Sequence, residues 1–387
     1  MRLFDETQRT DSSLGKRTET LFCALNRVAR PEFDAVRSLL ESWFERFPDA
    51  GKKQLRGDFR ATEPRQSLGA FWELYVHEIH RRLGYELERD PELADTSRRP
   101  DFLARRGDSA FYLEATVITI SNDEMAAQTR WNVILDLIDE AFDSDFSVSV
   151  RVKVGGQDTP SRHDVIPRVE TWLASLEWTD APPVSQRDET ELRVRDWVLK
   201  LRAHPKPPSA RGDPLLFPTI FSNGVLDSRV DERQYLEDNL RDKSKYGKPA
   251  LPFVVAALCN RNLVTDRLIQ WALYGPEVLT VPVLGGVGQM NAASLTRNPY
   301  GLWQRGAEPQ VTRVSAVLTA QHLGPLVIPS ADLTLWKNPW AARPLTEQRL
   351  LWRTITGDLE QNSLQVTEPT VLPRELLELD ADWPAQV

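Results

Sequence analysis

The stretch from Phe71 to Thr116 constrains the fold more than any other, because a helix pattern in it is followed by three strand patterns. The helix pattern is an apolar stripe at helical spacing, formed by Trp72, Tyr75, Val76, Ile79 and Leu83. Gly84 supplies a C-terminal stop, and strand patterns follow over 85–89, 101–106 and 110–118. A tight turn at 106–109 joins the last two strands. The order predicts one sheet packed on the helix.

Three carboxylates occupy related places in this stretch. Glu73 lies on the helix, Asp101 follows Pro100 at the start of the second strand, and Glu114 lies inside the third. Carboxylate oxygens are the ligands that Mg²⁺ prefers, and a bound divalent cation activates water for phosphodiester hydrolysis. Strand alternation places Thr116 on the same face as Glu114. We therefore expect the three acids to converge on one metal ion.

The helix with an acid on its flank, the Pro-Asp strand and the hydrophobic-Glu-x-x strand resemble the PD-(D/E)xK nuclease superfamily, which has the restriction-endonuclease-like fold. The resemblance covers residues 68–118 and, loosely, 231–259. It implies a Mg²⁺- or Mn²⁺-dependent endonuclease that hydrolyses DNA in restriction, defence or repair, with Glu73, Asp101 and Glu114 as metal ligands. The lysine that the family carries two residues after the second acid is Thr116 here.

If this site cleaves DNA, a cation from elsewhere in the chain is needed beside the phosphate, because Thr116 can orient water but carries no charge. Lys243 and Lys245 close a helix pattern that leads into the apolar run 253–259. That run is the best candidate for a strand beside the motif strands, so these lysines are the first candidates for catalysis. The alternative is that they only complement the C-terminus of their helix.

Four further side chains are weighed as nucleic-acid contacts or metal ligands. Arg130 is a second candidate cation, with Asn132 two residues on, although an arginine stays charged and cannot deprotonate water. His77 and His80 share the flank of Glu73, but they are three residues apart and do not form the four-residue zinc spacing. We expect partly exposed structural histidines, with a phosphate contact at His77 as the alternative.

Composition narrows the function classes. Hydrophobic residues make up 41% of the 387 residues and charged residues 27%, which is typical of a soluble globular protein. The longest apolar run, 253–259, is too short to span a bilayer. Five histidines and two distant cysteines argue against a structural zinc site, and no phosphate-cradling glycine loop supports ATP use. The net charge of −8 excludes a generally basic surface, but a nuclease needs only a local one.

Location and partners follow from the same reading. Cys23 and Cys259 both have apolar neighbours, which predicts buried thiols in a reducing cytoplasm, and the N-terminus has no apolar signal region. We expect a cytoplasmic protein whose partner is nucleic acid, most simply DNA, with a partner protein or a second copy of the chain as further options. No membrane association is expected.

Strand and helix patterns are interleaved, which predicts an α/β or α+β protein with a mixed sheet. Residues 1–66 form an N-terminal helical segment, whose first twenty residues we expect to be loosely held. The resemblance implies that residues 67–275 form a restriction-endonuclease-like core with an insertion at about 145–230, and we expect residues 276–387 to form a C-terminal extension packed on it. Within these segments the pattern predicts one strand over 192–201 and a helix over 346–359.

A rival function remains, namely a catalytically inactive member of the same fold that binds nucleic acid or a partner protein. Thr116 favours this alternative, because the site lacks the lysine expected there. The intact set of acids favours catalysis, because neighbouring carboxylates repel one another and an inactive site has no reason to keep them.

Overall fold

The computed structural model describes residues 1–13, 15–119, 122–141, 145–177, 188–207, 231–260, 264–280, 283–284, 287–288, 294–346, 352–358 and 363–384. The chain divides into two compact units. The main unit comprises Met1–Gln8, Leu21–Thr119 and Val230–Val387, and the inserted unit comprises Arg9–Thr20 and Ile120–Arg229. The insertion predicted at about 145–230 falls almost wholly within the inserted unit.

The described helices are α1 (Leu21–Arg27), α2 (Pro31–Arg46), α3 (Asp49–Phe59), α4 (Pro64–Arg82), α5 (Asn122–Glu140), α6 (Arg162–Leu173), α7 (Glu232–Lys243), α8 (Asp266–Tyr274) and α9 (Pro373–Leu376). The described strands are β1 (Glu86–Arg89), β2 (Phe102–Arg106), β3 (Ser109–Ile118), β4 (Phe146–Val154), β5 (Glu189–Val194), β6 (Trp197–Pro205), β7 (Phe253–Cys259), β8 (Glu277–Thr280), β9 (Val283–Leu284), β10 (Val287–Gly288), β11 (Ser294–Arg297), β12 (Gln304–Arg305), β13 (Glu308–Pro309), β14 (Ala316–Gln321), β15 (Leu333–Lys337), β16 (Arg353–Asp358) and β17 (Ser363–Thr367).

The main unit is built on one mixed eight-stranded sheet in the order β1-β2-β3-β7-β14-β15-β16-β17. Strands β1, β2 and β3 form an antiparallel meander, whereas β7 is parallel to both β3 and β14. The predicted mixed α/β architecture is therefore confirmed. Two finer predictions are also confirmed, since the three motif strands share one sheet and the run 253–259 lies directly beside β3.

Strand β3 presents alternate residues to two separate cores, as its period of two requires. Its odd-numbered residues Phe111, Leu113 and Val117 belong to the core that contains the apolar residues of α4. Its even-numbered residues Tyr112 and Ile118 belong to the core that contains apolar residues of α7 and α8. Glu114, lying between them in the even-numbered series, therefore faces the side of the sheet that α7 covers.

The C-terminal part of the chain contributes to the sheet itself, because β14 to β17 form half of its strands. The helix predicted over 346–359 is wrong where the structure describes it, since 353–358 is strand β16. Its Thr-Ile-Thr run suits a strand, and β16 gains partners on both sides, parallel to β15 and antiparallel to β17. Residues 347–351 lie outside the described residues.

The inserted unit contains a three-stranded antiparallel sheet in the order β4-β6-β5. Apolar residues of α5 and α6 pack on one face of it. The single strand predicted over 192–201 is wrong, because β5 and β6 form a hairpin that turns at Arg195 and Asp196. Arg195 adopts a positive φ of 50° there. An Arg-Asp turn has none of the glycine or asparagine that normally identifies a two-residue hairpin, so the pattern concealed it.

Two expectations about exposure are also wrong. The start of the chain is fixed, since Leu3 and Phe4 are buried and their backbone N–H groups donate to the Glu41 carboxylate at 3.1 and 2.7 Å. Cys23 is exposed, whereas Cys259 is buried as expected. Among the described helices, none combines the length and the apolar character needed to cross a bilayer.

Candidate functional site

Asp101 and Glu114 are neighbours because of the register of β2 and β3. The last register pair of the two strands is Phe102 with Leu113, so Asp101 and Glu114 come next on either side. Beyond this pair the backbone of β2 no longer bonds to β3. The Asp101 side chain does so instead, because its Oδ2 accepts a hydrogen bond from the Ala115 N–H at 2.7 Å. The carboxylate thus satisfies a backbone donor that β2 no longer reaches.

The pKa of Asp101 is strongly raised. Burial has the largest effect and the negative charge of Glu114 the next, and together they raise the pKa from 3.8 to about 7. The Ala115 N–H and the charges of Arg89 and Lys243 act in the opposite direction but are weaker. The expected rise in proton affinity without metal is therefore confirmed for Asp101, with burial rather than repulsion as the main cause.

Lys243, the last residue of α7, brings a positive charge to this pair. Its Nζ lies 2.9 Å from Glu114 Oε1, and the carboxylate that it contacts is only 4% exposed. Lys245 behaves differently, because its Nζ contacts Asp242 Oδ1 on the same helix and its side chain is 60% exposed. Of the two candidate lysines, the structure places Lys243 at the acids and Lys245 at the surface.

Tyr246 is a site residue that sequence reasoning missed. Burial and then the charge of Glu114 raise its pKa above the ordinary value, and its ring packs 5.1 Å from that of Phe253. The second carboxylate oxygen of Glu114, Oε2, is buried and has no hydrogen-bond partner of normal geometry among the described residues. In the sequence Tyr246 follows Lys245 at the end of a helix pattern, where nothing distinguishes it from a packing residue.

Glu73 does not join Asp101 and Glu114. It forms an ion pair with Arg89 of β1, a second residue that the sequence reading missed. The Arg89 side chain is 4% exposed, and its guanidinium lies 5.3 Å from the Phe47 ring centre. Gly51 provides the space, since a Cβ there would lie 2.3 Å from Arg89 Cδ. The helix that carries Glu73 packs on the face of the sheet opposite to α7, which explains the separation.

The residues present fit a divalent cation, but with two carboxylates rather than three. In the described part of the chain no group of three or more His, Cys, Asp or Glu side chains is arranged to hold a metal ion. Magnesium is commonly held by only one or two carboxylates together with water and substrate phosphates. The buried Oε2 of Glu114, which faces the Tyr246 phenol, and the raised pKa of Asp101 fit a pair that a cation would stabilise.

The predicted histidine contact has no access to solvent. His77 and His80 are both buried, contrary to the partial exposure expected, and burial lowers the pKa of each to about 4. The His77 ring lies 5.0 Å from that of Phe47 and 5.7 Å from that of Phe102. Both rings are therefore neutral core residues near neutral pH.

The remaining predicted residues lie in two places. Thr116 is half-buried in β3 and shares the face of Glu114, as strand alternation predicted. Arg130 and Asn132 belong to the inserted unit. There Arg130 donates to Gln157 Oε1 at 3.0 Å, and Asn132 Nδ2 donates to the Arg17 carbonyl at 3.3 Å.

Taken together, two acids, one lysine and one phenol meet where β2 ends beside β3. Such a group can bind a hard cation, hold a proton on Asp101 near neutral pH and place positive charge beside an anionic substrate. Comparison with protein-family models, with curated proteins and with solved structures gives no match for this chain.

Proposed function

We propose that this chain is a metal-dependent nuclease with a restriction-endonuclease-like core, hydrolysing DNA phosphodiester bonds. The observation that carries the proposal is the 2.9 Å contact between Lys243 Nζ and Glu114 Oε1. It supplies a lysine, from another element, to a site whose own strand has Thr116 in the expected position. The helix α4, the meander β1-β2-β3 and the adjacent parallel strand β7 support the same assignment.

Each residue has a distinct role in this proposal. Asp101 and Glu114 hold Mg²⁺ or Mn²⁺, which when bound polarises the phosphate and lowers the pKa of water. Lys243 provides positive charge where negative charge develops on the phosphate, and its contact with Glu114 orients it. Thr116, on the same strand face, has a hydroxyl that can orient a water molecule.

Glu73 acts at a distance in this scheme. Its carboxylate balances the charge of Arg89, and the Arg89 charge in turn lowers the pKa of Asp101. In this scheme Arg89 favours the charged form of Asp101 and Glu73 holds Arg89 in place, so both are positioning residues rather than metal ligands.

A catalytically inactive nuclease-fold protein that binds nucleic acid or a partner protein is the second candidate. Two observations favour it, namely Thr116 in the lysine position and the engagement of Glu73 by Arg89. The buried pair of Asp101 and Glu114 argues against this second candidate. Two neighbouring buried carboxylates destabilise the fold, and an inactive protein gains nothing from keeping them.

DNA cleavage by matched lysine variants tests the proposal. Plasmid and linear DNA are incubated with the purified chain in Mg²⁺, Mn²⁺ or chelator, and the wild type is expected to cleave only with metal. Lys243→Ala should lower the rate by about a hundredfold or more, as expected for loss of a positioned charge. Lys245→Ala is the matched control, because this lysine lies two residues beyond the end of α7 but its ammonium contacts Asp242 rather than the acids of the site.

Three further variants complete the test. Asp101→Asn and Glu114→Gln should abolish cleavage while circular dichroism shows a folded protein. Equal rates for Lys243→Ala and Lys245→Ala would reject the relocated lysine. If the wild type and Thr116→Lys are both inert with either metal, the inactive, binding protein becomes the better assignment.

A further inference from the structure

The sheet of the inserted unit has one face that its described helices leave uncovered. The opposite face carries Val148, Leu199 and Leu201, which form a core with residues of α5 and α6. Because side chains alternate along a strand, the intervening residues point the other way. This outer face, called here the basic face, carries the cations Arg151, Lys153, Arg193, Lys200 and Arg202.

Two carboxylates only partly neutralise the basic face. Glu189 and Glu191 both lie on the edge strand β5. Glu189 is shared by Lys200 and Arg202, and Glu191 is shared by Lys153 and Arg193. Among the described residues, five cations of these strands stand against two carboxylates, and the charge of Asp188 acts on His204 nearby, so positive charge is in excess. The local charge is opposite in sign to the chain as a whole, which carries −8.

Arg151 is the cation with most freedom on this face. It is exposed, and among the described residues no hydrogen bond or ion pair engages its guanidinium. The strand register places it directly opposite Lys200, and Ser149 directly opposite Arg202. These two pairs stand side by side along β4 and β6; Lys200 and Arg202 also contact Glu189, whereas the Arg151 guanidinium is exposed to solvent.

A depression of about 350 Å³ lies between these pairs. It is lined by Ser149, Val150, Arg151, Glu189, Lys200, Arg202 and His204, so its cations share it with one carboxylate. The His204 Nε2 and the Ser149 hydroxyl are joined by a 2.9 Å hydrogen bond, and burial and then the charge of Arg202 lower the pKa of His204. The depression therefore combines the exposed guanidinium of Arg151 with the positive charge of Lys200 and Arg202, and guanidinium and ammonium groups are those that contact phosphate oxygens.

We propose that the basic face binds the phosphate backbone of duplex DNA. Its charge is complementary to that polyanion, and an excess of positive charge on an acidic protein marks a local electrostatic footprint. No Phe, Tyr or Trp stands among the described residues of this face, so it lacks the stacking platforms used to hold single strands. The binding does not depend on cleavage at Asp101 and Glu114, which belong to the other unit.

Binding of a fluorescently labelled short DNA duplex, measured by anisotropy in chelator, tests the proposal without interference from cleavage. Arg151→Gln and Arg202→Gln should each weaken binding several-fold. For each phosphate that a variant no longer neutralises, the slope of log affinity against log salt should also fall by about 0.9. Arg151→Lys keeps the charge and should retain most of the affinity.

The matched control is Arg162→Gln. Arg162 is also a cation of the inserted unit, with a side chain 74% exposed, but it lies on α6, on the helix-covered side of the sheet. Its loss should leave both affinity and salt slope unchanged, and equal melting temperatures confirm that all variants are folded.

Three outcomes overturn the proposal. The first is a wild type that does not bind duplex DNA at low salt. The second is an Arg151→Gln, Arg202→Gln double variant that binds as tightly as Arg162→Gln. The third concerns binding of the same variants to anionic phospholipid vesicles. If the Arg151→Gln, Arg202→Gln double variant loses vesicle binding that the wild type has, but keeps the wild-type affinity for DNA, the face is a membrane site. Cleavage is measured separately, with metal and with the Lys243 variant, so failure of the basic face as a DNA site is distinguishable from failure of the proposed nuclease activity.

Discussion

Asp101 is the residue in which burial and charge conflict most. Its carboxyl group lies beside Glu114, and its proton affinity is high enough that protonation near neutral pH becomes an alternative to metal binding. A proton and a divalent cation compete for such a group, because each removes the same unfavourable negative charge. The pH therefore determines the fraction of the protein in which Asp101 is deprotonated and can bind a cation.

This competition predicts a specific pH dependence of stability. The folded protein holds a proton on Asp101 up to about pH 7, whereas the unfolded chain loses it near the ordinary pKa of 3.8. The folded state therefore binds more protons than the unfolded state between these two pH values. As a result, the free energy of unfolding falls as pH rises through this window. Asp101→Asn removes the effect, so in chelator its free energy of unfolding should exceed that of wild type by about 1–3 kcal/mol near neutral pH and above.

Urea unfolding at a series of pH values, with chelator throughout, measures the difference. Asp108→Asn, in the exposed turn before β3, is the control for a generic loss of one carboxylate. If the gap between Asp101→Asn and wild type does not widen as pH rises from acid to neutral, the raised pKa of Asp101 is wrong.

The sequence could predict the residues of the site whose positions follow from local pattern. Asp101 and Glu114 are separated by one turn between paired strands, so their meeting follows from the hairpin alone. Lys243 followed from the inference that its helix leads into a strand beside β3. Arg89 and Tyr246 could not be found in this way, because their roles depend on tertiary packing around Gly51 and Phe253.

Helix α4 is largely buried although it contains several polar and charged side chains. Residues around much of its circumference are buried, so its polar side chains need partners within the protein. His80 Nδ1 lies 2.7 Å from the Val76 carbonyl. Glu78 is fully buried and is surrounded by the guanidinium groups of Arg46, Arg81 and Arg82. Arg82 also donates to the Leu376 carbonyl, which ties α9 to α4.

The Glu78 cluster predicts sensitivity to acid. Burial alone would raise the pKa of Glu78, but hydrogen bonds from Arg81, Arg46 and Arg82 outweigh it and lower the pKa to about 2. A depressed carboxyl pKa stabilises the fold above the ordinary value of 4.5, and this contribution is lost as pH falls from there towards 2. Glu78→Gln should cost about 3–5 kcal/mol at neutral pH, as for breaking a buried ion pair, and should abolish this acid-dependent loss.

Thermal and urea unfolding of Glu78→Gln and Glu88→Gln give the comparison. Glu88 faces Arg105 at 3.9 Å with both side chains more than half exposed, so its loss should be nearly neutral. Similar stabilities for the two variants would show that the arginine cluster contributes no more than a surface ion pair.

Helices and strands could be predicted from the sequence where the spacing of apolar residues matches the burial that the fold gives them. Strands β2 and β3 have clear apolar patterns and a turn between them, and α4 ends at Arg82, two residues before Gly84, whose positive φ of 86° suits a helix stop. The β5–β6 hairpin and β16 were missed for different reasons. The first turns on Arg195 and Asp196 without the usual turn residues, and the second is decided by pairing with β15 and β17.

For the whole molecule, the C-terminal strands are part of the principal core rather than an addition to it. Strand β14 pairs with β7 along its full length, and its Leu318 is buried opposite Ala256 on one side and Leu335 on the other. Truncating such a side chain leaves a cavity in a densely packed place. Truncation of the Leu318 side chain should therefore destabilise the sheet that carries Glu114.

Leu318→Ala is expected to lower the free energy of unfolding by about 2–5 kcal/mol. Val366→Ala on the edge strand β17 is the matched control, because Val366 is 48% exposed and its loss should cost no more than about 0.5 kcal/mol. Urea unfolding monitored by tryptophan fluorescence and by circular dichroism measures both. Equal costs would mean that β14 is not integral to the core.

The insertion of a whole unit between β3 and α7 has a consequence for synthesis on the ribosome. Glu114 and Lys243 are 129 residues apart in the chain, so translation at about 5–20 residues per second separates their appearance by on the order of ten seconds. During that interval the acids and the apolar edge of β3 have emerged, while the lysine and strand β7 have not. The nascent chain therefore passes through a stage that exposes both an unpaired strand edge and an uncompensated acidic pair, the stage at which chaperone binding or aggregation would act.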